Sequence, residues 1–235
     1  MEQSCCDIKL YKEKFNKITI LERYPWVGCN FASSDCRPLV IGDSHYATNG
    51  KDFSQEEYDN FKNNKASTCN IINTVIKNYC NGESTWPMYR NMLLTFNISV
   101  ENVLDFWSKV AFYNFIQEPM KSSDEEPSQE DIANGWRCLA GVIEILHPTS
   151  ILIFGVRNDK CSNKINENNS VRLEDFKDDT NNKINRCRPR IGKIILGNEE
   201  IPLTLIHHPS QGYNCDLWRN YLLKRDPRMM DYLLS

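Results

Sequence analysis

A chain of 235 residues, 40% apolar and 11% aromatic, can bury a full core, and its length fits one domain (1–235) in which distant segments share a single site. No apolar run approaches the ~20 residues that span a bilayer, and Met1-Glu2-Gln3-Ser4-Cys5-Cys6 lacks the basic and apolar regions of a secretory leader, so a cytoplasmic monomer with no membrane partner is expected. A formal charge of −3 argues against a non-specific DNA coater, whose affinity comes mainly from neutralising phosphates, but leaves room for local DNA contacts.

In chain order, the first short apolar run rich in β-branched residues lies at 39–41 and reads as a buried parallel strand. A helix is expected after Ser54, with Glu57 at the reciprocal capping position, and another over 69–79. The second strand is predicted at 110–113, followed by a polar loop over 121–127. The clearest helix is Gln129–Leu146: Ser128 and Asp131 make a capping-box-like start, and Ile132, Trp136, Leu139, Ile143 and Leu146 follow helical spacing.

A third strand is predicted at 151–154. Residues 158–186 are rich in Asn, Lys and Asp and read as a polar surface insertion, partly mobile. The fourth strand is expected at 203–206, and a last helix over 216–224 ends near Asp226-Pro227. Strands alternating with helices give an α/β fold, a three-layer sandwich around a central, mainly parallel four-stranded sheet.

In an open parallel sheet, ligands bind beyond the carboxyl ends of the strands, so the residues after each run are the first to inspect. Three ends are chemically loaded: Gly42-Asp43-Ser44-His45-Tyr46, Asn114, and His207-His208-Pro209-Ser210. The fourth run ends in Gly155-Val156-Arg157. Singly, each loaded end has a plain structural explanation: Gly42 as a turn, Asp43 as a helix cap, His208 as a satisfied core histidine, Asn114 as a turn closer. Their order along the chain points to chemistry.

That order resembles the uracil-DNA glycosylase superfamily, over roughly residues 20 to 225. Gly42-Asp43-Ser44-His45-Tyr46 is similar to the family's first motif, best known as Gly-Gln-Asp-Pro-Tyr-His, with variants such as Gly-Glu-Ala-Pro-Gly. His208-Pro209-Ser210 is similar to its second motif. The resemblance implies an enzyme that turns a nucleotide out of double-stranded DNA and hydrolyses the bond between base and deoxyribose.

In that role, the carboxylate of Asp43 stabilises the developing oxocarbenium ion and orients or deprotonates water, while His208 donates to O2 of the departing pyrimidine. His207, one residue earlier on the strand, faces the other way and is structural. Asn114 reads the Watson–Crick edge of a pyrimidine, uracil in one amide orientation and cytosine in the other. Ser44 and His45 line the pocket, with His45 as a titratable group at its mouth; Tyr46 walls C5, and Trp86 or Tyr89 stacks on the base. Ser210, with Arg157, Arg188 and Arg190 as auxiliaries, contacts phosphates, and Tyr213 or Gln211 wedges into the duplex gap.

The chain departs from the family where the acid stands one position early, at Asp43, with Ser44 aligned to the usual aspartate, and where His45 replaces proline. These departures suggest a specialised base, such as glucosylated hydroxymethylcytosine of phage DNA, excised in antiviral defence. The alternatives are uracil repair, a glycosylase-like DNA-binding module without chemistry, and an α/β protein acting on free nucleosides. Ten scattered cysteines with no Cys-x-x-Cys read as reduced thiols. Some relatives hold an iron–sulfur cluster, for which Cys5, Cys6, Cys29 and Cys36 are the available set, but the expectation is no metal and no cofactor.

Overall fold

The computed structural model describes residues 6–46, 54–122, 125–210 and 212–235. Seven strands form one mixed sheet: β1 (Trp26–Val27), β2 (Pro38–Gly42), β3 (Ala111–Asn114), β4 (Ser150–Phe154), β5 (Val171–Asp178), β6 (Arg190–Leu196) and β7 (Glu199–Ile206), in the order β1-β3-β2-β4-β7-β6-β5. The four inner strands β3, β2, β4 and β7 run parallel, with β1 antiparallel on one edge and β6 and β5 antiparallel on the other. The α/β class and the parallel centre agree with the sequence; the four-stranded sheet does not.

The inner strands are apolar because both their faces are covered. Leu39, Ile41, Tyr113, Ile153 and Leu205 face one core with Trp136, Leu139 and Ile143 of α6 (Gln129–Leu146). Val40, Phe112, Leu152, Phe154 and Ile206 face the other, against α3 (Ser67–Cys80), α4 (Pro87–Thr95), α5 (Val103–Lys109) and the two C-terminal helices. Each such side chain contributes about 1.5–3 kcal/mol by leaving water, which is why a strand buried on two faces shows no polar alternation. The two remaining helices are α1 (Ile8–Phe15), which contacts α6, and α2 (Gln55–Lys62).

Local signals that are self-contained place their elements well. Ser128 and Asp131 close the capping box of α6, each side chain accepting from the other's backbone N–H. Ser54 caps α2 by accepting from Glu57 N. Asp226-Pro227 ends α7 (Cys215–Arg225), and it also opens α8 (Pro227–Leu234): the Asp226 carboxylate accepts from Met229 N at 3.1 Å and proline occupies the first turn.

The larger correction concerns 158–186. This stretch contains 3-10 turns at Val156–Asp159 and Ser162–Glu167 and the edge strand β5, and Ile165 and Val171 are buried in the core. An edge strand packs one face only, so β5 keeps polar residues outward and leaves a weak apolar signal. The Gly197-Asn198 turn, with Gly197 at φ 58°, pairs Leu196 with Glu199 and is the hairpin signal that identifies β6 and β7. Among the described residues no helix is long and apolar enough to cross a membrane.

Candidate active site

The carboxyl ends of the four parallel strands converge, and a cavity of about 530 Å³ lies beyond them. Asp43 and Ser44 enter it from β2, Asn114 from β3, Arg157 from the turn after β4, and His208 from the end of β7. His45, Tyr46, Trp86, Tyr89 and Ser210 complete the residues that the sequence singled out, and Ile71, Pro87 and Met88 are apolar wall residues that it did not.

Asn114 explains Gly42. The two residues are register partners on β3 and β2, and a Cβ at position 42 would collide with Asn114 Oδ1. Glycine is therefore required by the amide lying over it, a reason beyond turn formation. Asn114 Nδ2 donates to the carbonyl of Ser44 at 2.9 Å, which fixes the amide orientation because a carbonyl only accepts. Its Oδ1, in a side chain 2% exposed, has no hydrogen-bond partner among the described residues. A buried acceptor left in this state costs about 1–3 kcal/mol, a cost that a bound N–H donor removes.

Asp43 is 2% exposed. Asn158 Nδ2 donates to its Oδ1 at 2.9 Å, and Arg157 Nη2 stands 3.5 Å from its Oδ2. Asn158 is itself fully buried and donates its backbone N–H to Gly155 O; its carbonyl accepts from Trp136 Nε1 at 2.8 Å. Gly155, at φ 115°, permits this fold-back. The fourth strand end is thus as loaded as the other three. Asn158 was missed because it lies four residues beyond β4 in a stretch read as insertion, although the glycine directly after an apolar run is a usable signal.

Burial pushes the His208 ring below its usual pKa, against the opposing pull of the Asp43 charge, so it is neutral at pH 7 and carries one N–H donor. His45 is a different case. Its Nε2 lies 3.3 Å from Thr68 Oγ1, its ring packs edge-on to Phe61, and burial together with the Arg23 guanidinium brings its pKa down to about 3. It lines the cavity as a neutral, fixed side chain, and the expected role as an acid or base at the mouth is corrected accordingly. Arg23 is buried, donating to Gln117 O and lying 5.0 Å over the Phe61 ring.

The aromatic residues divide similarly. Trp86, 37% exposed, stands at the cavity with an edge-on contact of 6.1 Å to Tyr89, whereas Tyr89 is buried against Phe112 and forms wall. Tyr46 pairs with Met120 in an isolated parallel bridge. Asn91 Nδ2 donates to Pro209 O at 3.1 Å and holds the turn that carries Ser210.

The expected DNA contacts fare unevenly. Tyr213 is not a free wedge: its ring stacks between His207 and Trp218, and its hydroxyl hydrogen-bonds Thr95 Oγ1 at 3.1 Å. Gln211 lies outside the described residues. Arg157 is engaged by Asp43 and Glu126, and Arg190 by Asp159 at 2.9 Å and by Asp178, so neither is a spare phosphate ligand. Arg188 is exposed and lines a neighbouring cleft. His207 stacks on Tyr213 and lines that same cleft, facing away from the cavity as the strand alternation predicts.

Of the four cysteines named as a possible cluster, Cys5 lies outside the described residues, Cys6 sits 3.6 Å from Cys69 across their sulfurs, Cys29 is exposed and Cys36 is buried beside Arg228 O. Among the described residues no group of three or more His, Cys, Asp or Glu is placed to hold a metal ion. Compared with known proteins, the chain matches no protein-family model and no curated protein.

Proposed function

We propose that this chain is a monofunctional DNA glycosylase, a hydrolase that flips a pyrimidine nucleotide out of double-stranded DNA and cleaves its N-glycosidic bond. The observation that carries the reading is the meeting of Asp43, Asn114 and His208 on one cavity, with the buried Oδ1 of Asn114 lacking a donor among the described residues. An unpartnered acceptor on a fixed amide calls for an N–H on the ligand, such as the 4-amino group of cytosine or N3–H of uracil.

In the reaction the C1′–N1 bond breaks and its electron pair leaves with the base, the negative charge spreading to O2. Neutral His208 donates its N–H to that oxygen, and preorganised donors of this kind are worth about 2.7–4 kcal/mol in the transition state. Water adds to C1′ and gives up a proton, which Asp43 accepts; before that, its negative charge stabilises the cationic sugar. Asn158 and Arg157 hold the carboxylate, so it is aimed before substrate arrives. Trp86 supplies an aromatic face for the extruded base.

The base we propose is a modified cytosine of phage DNA, in a defence role. A cavity of about 530 Å³ lies within the range of about 300–1,000 Å³ that holds drug-sized ligands, and so has room beyond a bare pyrimidine ring. Uracil is the second reading, supported by Tyr46 in the cavity wall.

Duplexes carrying uracil, hydroxymethylcytosine or its glucosylated form, treated with protein and then alkali, test both. Strand breaks confined to the glucosylated substrate support the first base assignment, and breaks at uracil the second. Intact strands across the whole panel with folded protein overturn the glycosylase reading. A DNA effect that persists in Asp43→Asn and His208→Ala would instead mark a binding module without chemistry.

A further inference from the structure

Beside the catalytic cavity lies a second, larger cleft of about 860 Å³. The two share a wall: Val156 and His207 line the cleft, while their chain neighbours Arg157 and His208 line the cavity. Four cationic side chains, Lys183, Arg186, Arg188 and Arg190, border the cleft against one carboxylate, Asp178. Arg190 is neutralised by Asp178 and Asp159, which leaves the other three as the effective charge. All three are exposed; Lys183 and Arg186 make no ion pair or hydrogen bond among the described residues, and Arg188 makes a single long one, 3.4 Å, to Thr180 O.

These cations are mounted on a built support. Ile184 and Cys187 exchange backbone hydrogen bonds of 2.9 and 3.0 Å across a tight turn in which Asn185 takes φ 56°, so Arg186 projects from a fixed tip. Ile184 and Cys187 also pack against the hydrophobic core. At the base of the loop, buried Asp179 accepts from Tyr221 OH at 3.0 Å and Asn182 Nδ2 at 2.8 Å, and its N–H donates to Pro189 O. Cations held without ion-pair partners among the described residues on an anchored loop, at an open cleft, are arranged for an extended anion.

We propose that this cleft seats the sugar-phosphate backbone of the DNA strand next to the flipped nucleotide, with Lys183, Arg186 and Arg188 as its phosphate ligands. The site supplies the local positive charge that a chain of net charge −3 lacks overall. It rests on the DNA-directed reading above but not on base excision itself.

The test is equilibrium binding of an unmodified 20-base-pair duplex between 50 and 200 mM salt, comparing the wild type with the triple variant Lys183→Ala/Arg186→Ala/Arg188→Ala. Each lost phosphate contact lowers the slope of log K against log salt by about 0.9, so the triple variant is expected to lose about 2–3 of the slope, with the same loss on any sequence. A variant with the same charge change on α1, Lys9→Ala/Lys12→Ala/Lys14→Ala, should keep the wild-type slope. An unchanged slope in the cleft variant, an equal loss in the α1 variant, or a wild type that binds no duplex overturns the proposal. Base release, assayed separately, keeps the two readings apart. Release with an unchanged slope removes the cleft alone; a lost slope in a protein that releases no base removes the glycosylase alone.

Discussion

The two halves of the sheet are built to opposite specifications. On β3, β2, β4 and β7 every core-facing side chain named above is at most 1% exposed, and the strand ends deliver Asp43, Asn114 and His208 to one cavity, with Asp43 and Asn114 themselves 2% exposed. On β6 and β5 the side chains alternate between packed and wet, and the loop joining them presents Lys183, Arg186 and Arg188 to solvent. Chemistry on a glycosidic bond needs a place where a carboxylate, an amide and a neutral imidazole keep their full electrostatic effect; holding a phosphate backbone needs charges that remain hydrated until the ligand arrives. On the proposed function, the parallel half serves the first need through burial, and the antiparallel half the second through exposure on a rigid support.

Breaking the buried half should have the largest effect. Asp43→Asn and His208→Ala should each lower kcat for base release by about 10²–10³-fold, the size seen when one preorganised transition-state group is removed, with duplex affinity nearly unchanged. On the proposed mechanism His208 donates in its neutral form, and burial lowers its pKa, so the wild-type rate should hold at neutral pH and fall in acid solution as the ring gains a proton. An equal loss of kcat and duplex affinity would place both residues in binding instead.

Gly42→Ala comes next. The added methyl drives against Asn114 Oδ1, so the amide must turn away from the Ser44 carbonyl. Base release should drop about 10–100-fold, the cost of roughly 1–3 kcal/mol for disturbing a buried polar reader. Steady-state kinetics on matched substrates would show it, and wild-type kcat/KM in this variant would remove Asn114 from recognition.

His45→Gln separates burial from catalysis. The folded pKa of about 3 lies below the unfolded 6.5, so between these values the unfolded chain binds a proton that the folded chain refuses. Stability from this residue is complete above pH 6.5 and is lost as pH falls toward 3, by up to about 1.4 kcal/mol per pH unit. Urea unfolding at pH 7, 6 and 5 should show a shallower acid loss in His45→Gln, and parallel curves would refute the assignment. The smallest effect belongs to the outer half: Arg190→Ala removes two partly exposed ion pairs and should cost about 0–1 kcal/mol in the same urea assay, with base release unchanged.

What was legible follows the same division. Strands β2, β3 and β4, the carboxyl end of β7 and α6 could be read to within a residue because double-sided burial and a capping box are local, self-consistent signals, whereas β7 begins four residues before its apolar run, at Glu199. Asp43, Asn114 and His208 were legible as strand-end residues for the same reason. Strands β5 and β6 were not, since one packed face leaves only Val171, Ile194 and a few half-buried neighbours as apolar markers in a polar stretch. Asn158 and Asn91 went unread because each acts through a partner more than a hundred residues away, Asp43 in one case and Pro209 in the other.

The sequence by itself determined the α/β class, the parallel centre and which residue types stand at the ends of its strands, because those follow from hydrophobic periodicity and capping chemistry within short windows. Only the tertiary structure decided what each of those residues is free to do. It buried His45 so that the ring stays neutral at pH 7, stacked Tyr213 out of the wedge role and paired Arg157 and Arg190 with acids. Among the described residues it left one oxygen of Asn114 unpaired and three cations of an anchored loop facing solvent. Protonation state, hydrogen-bond vacancy and free charge depend on neighbours brought together from distant parts of the chain, and pattern within a window carries no record of them.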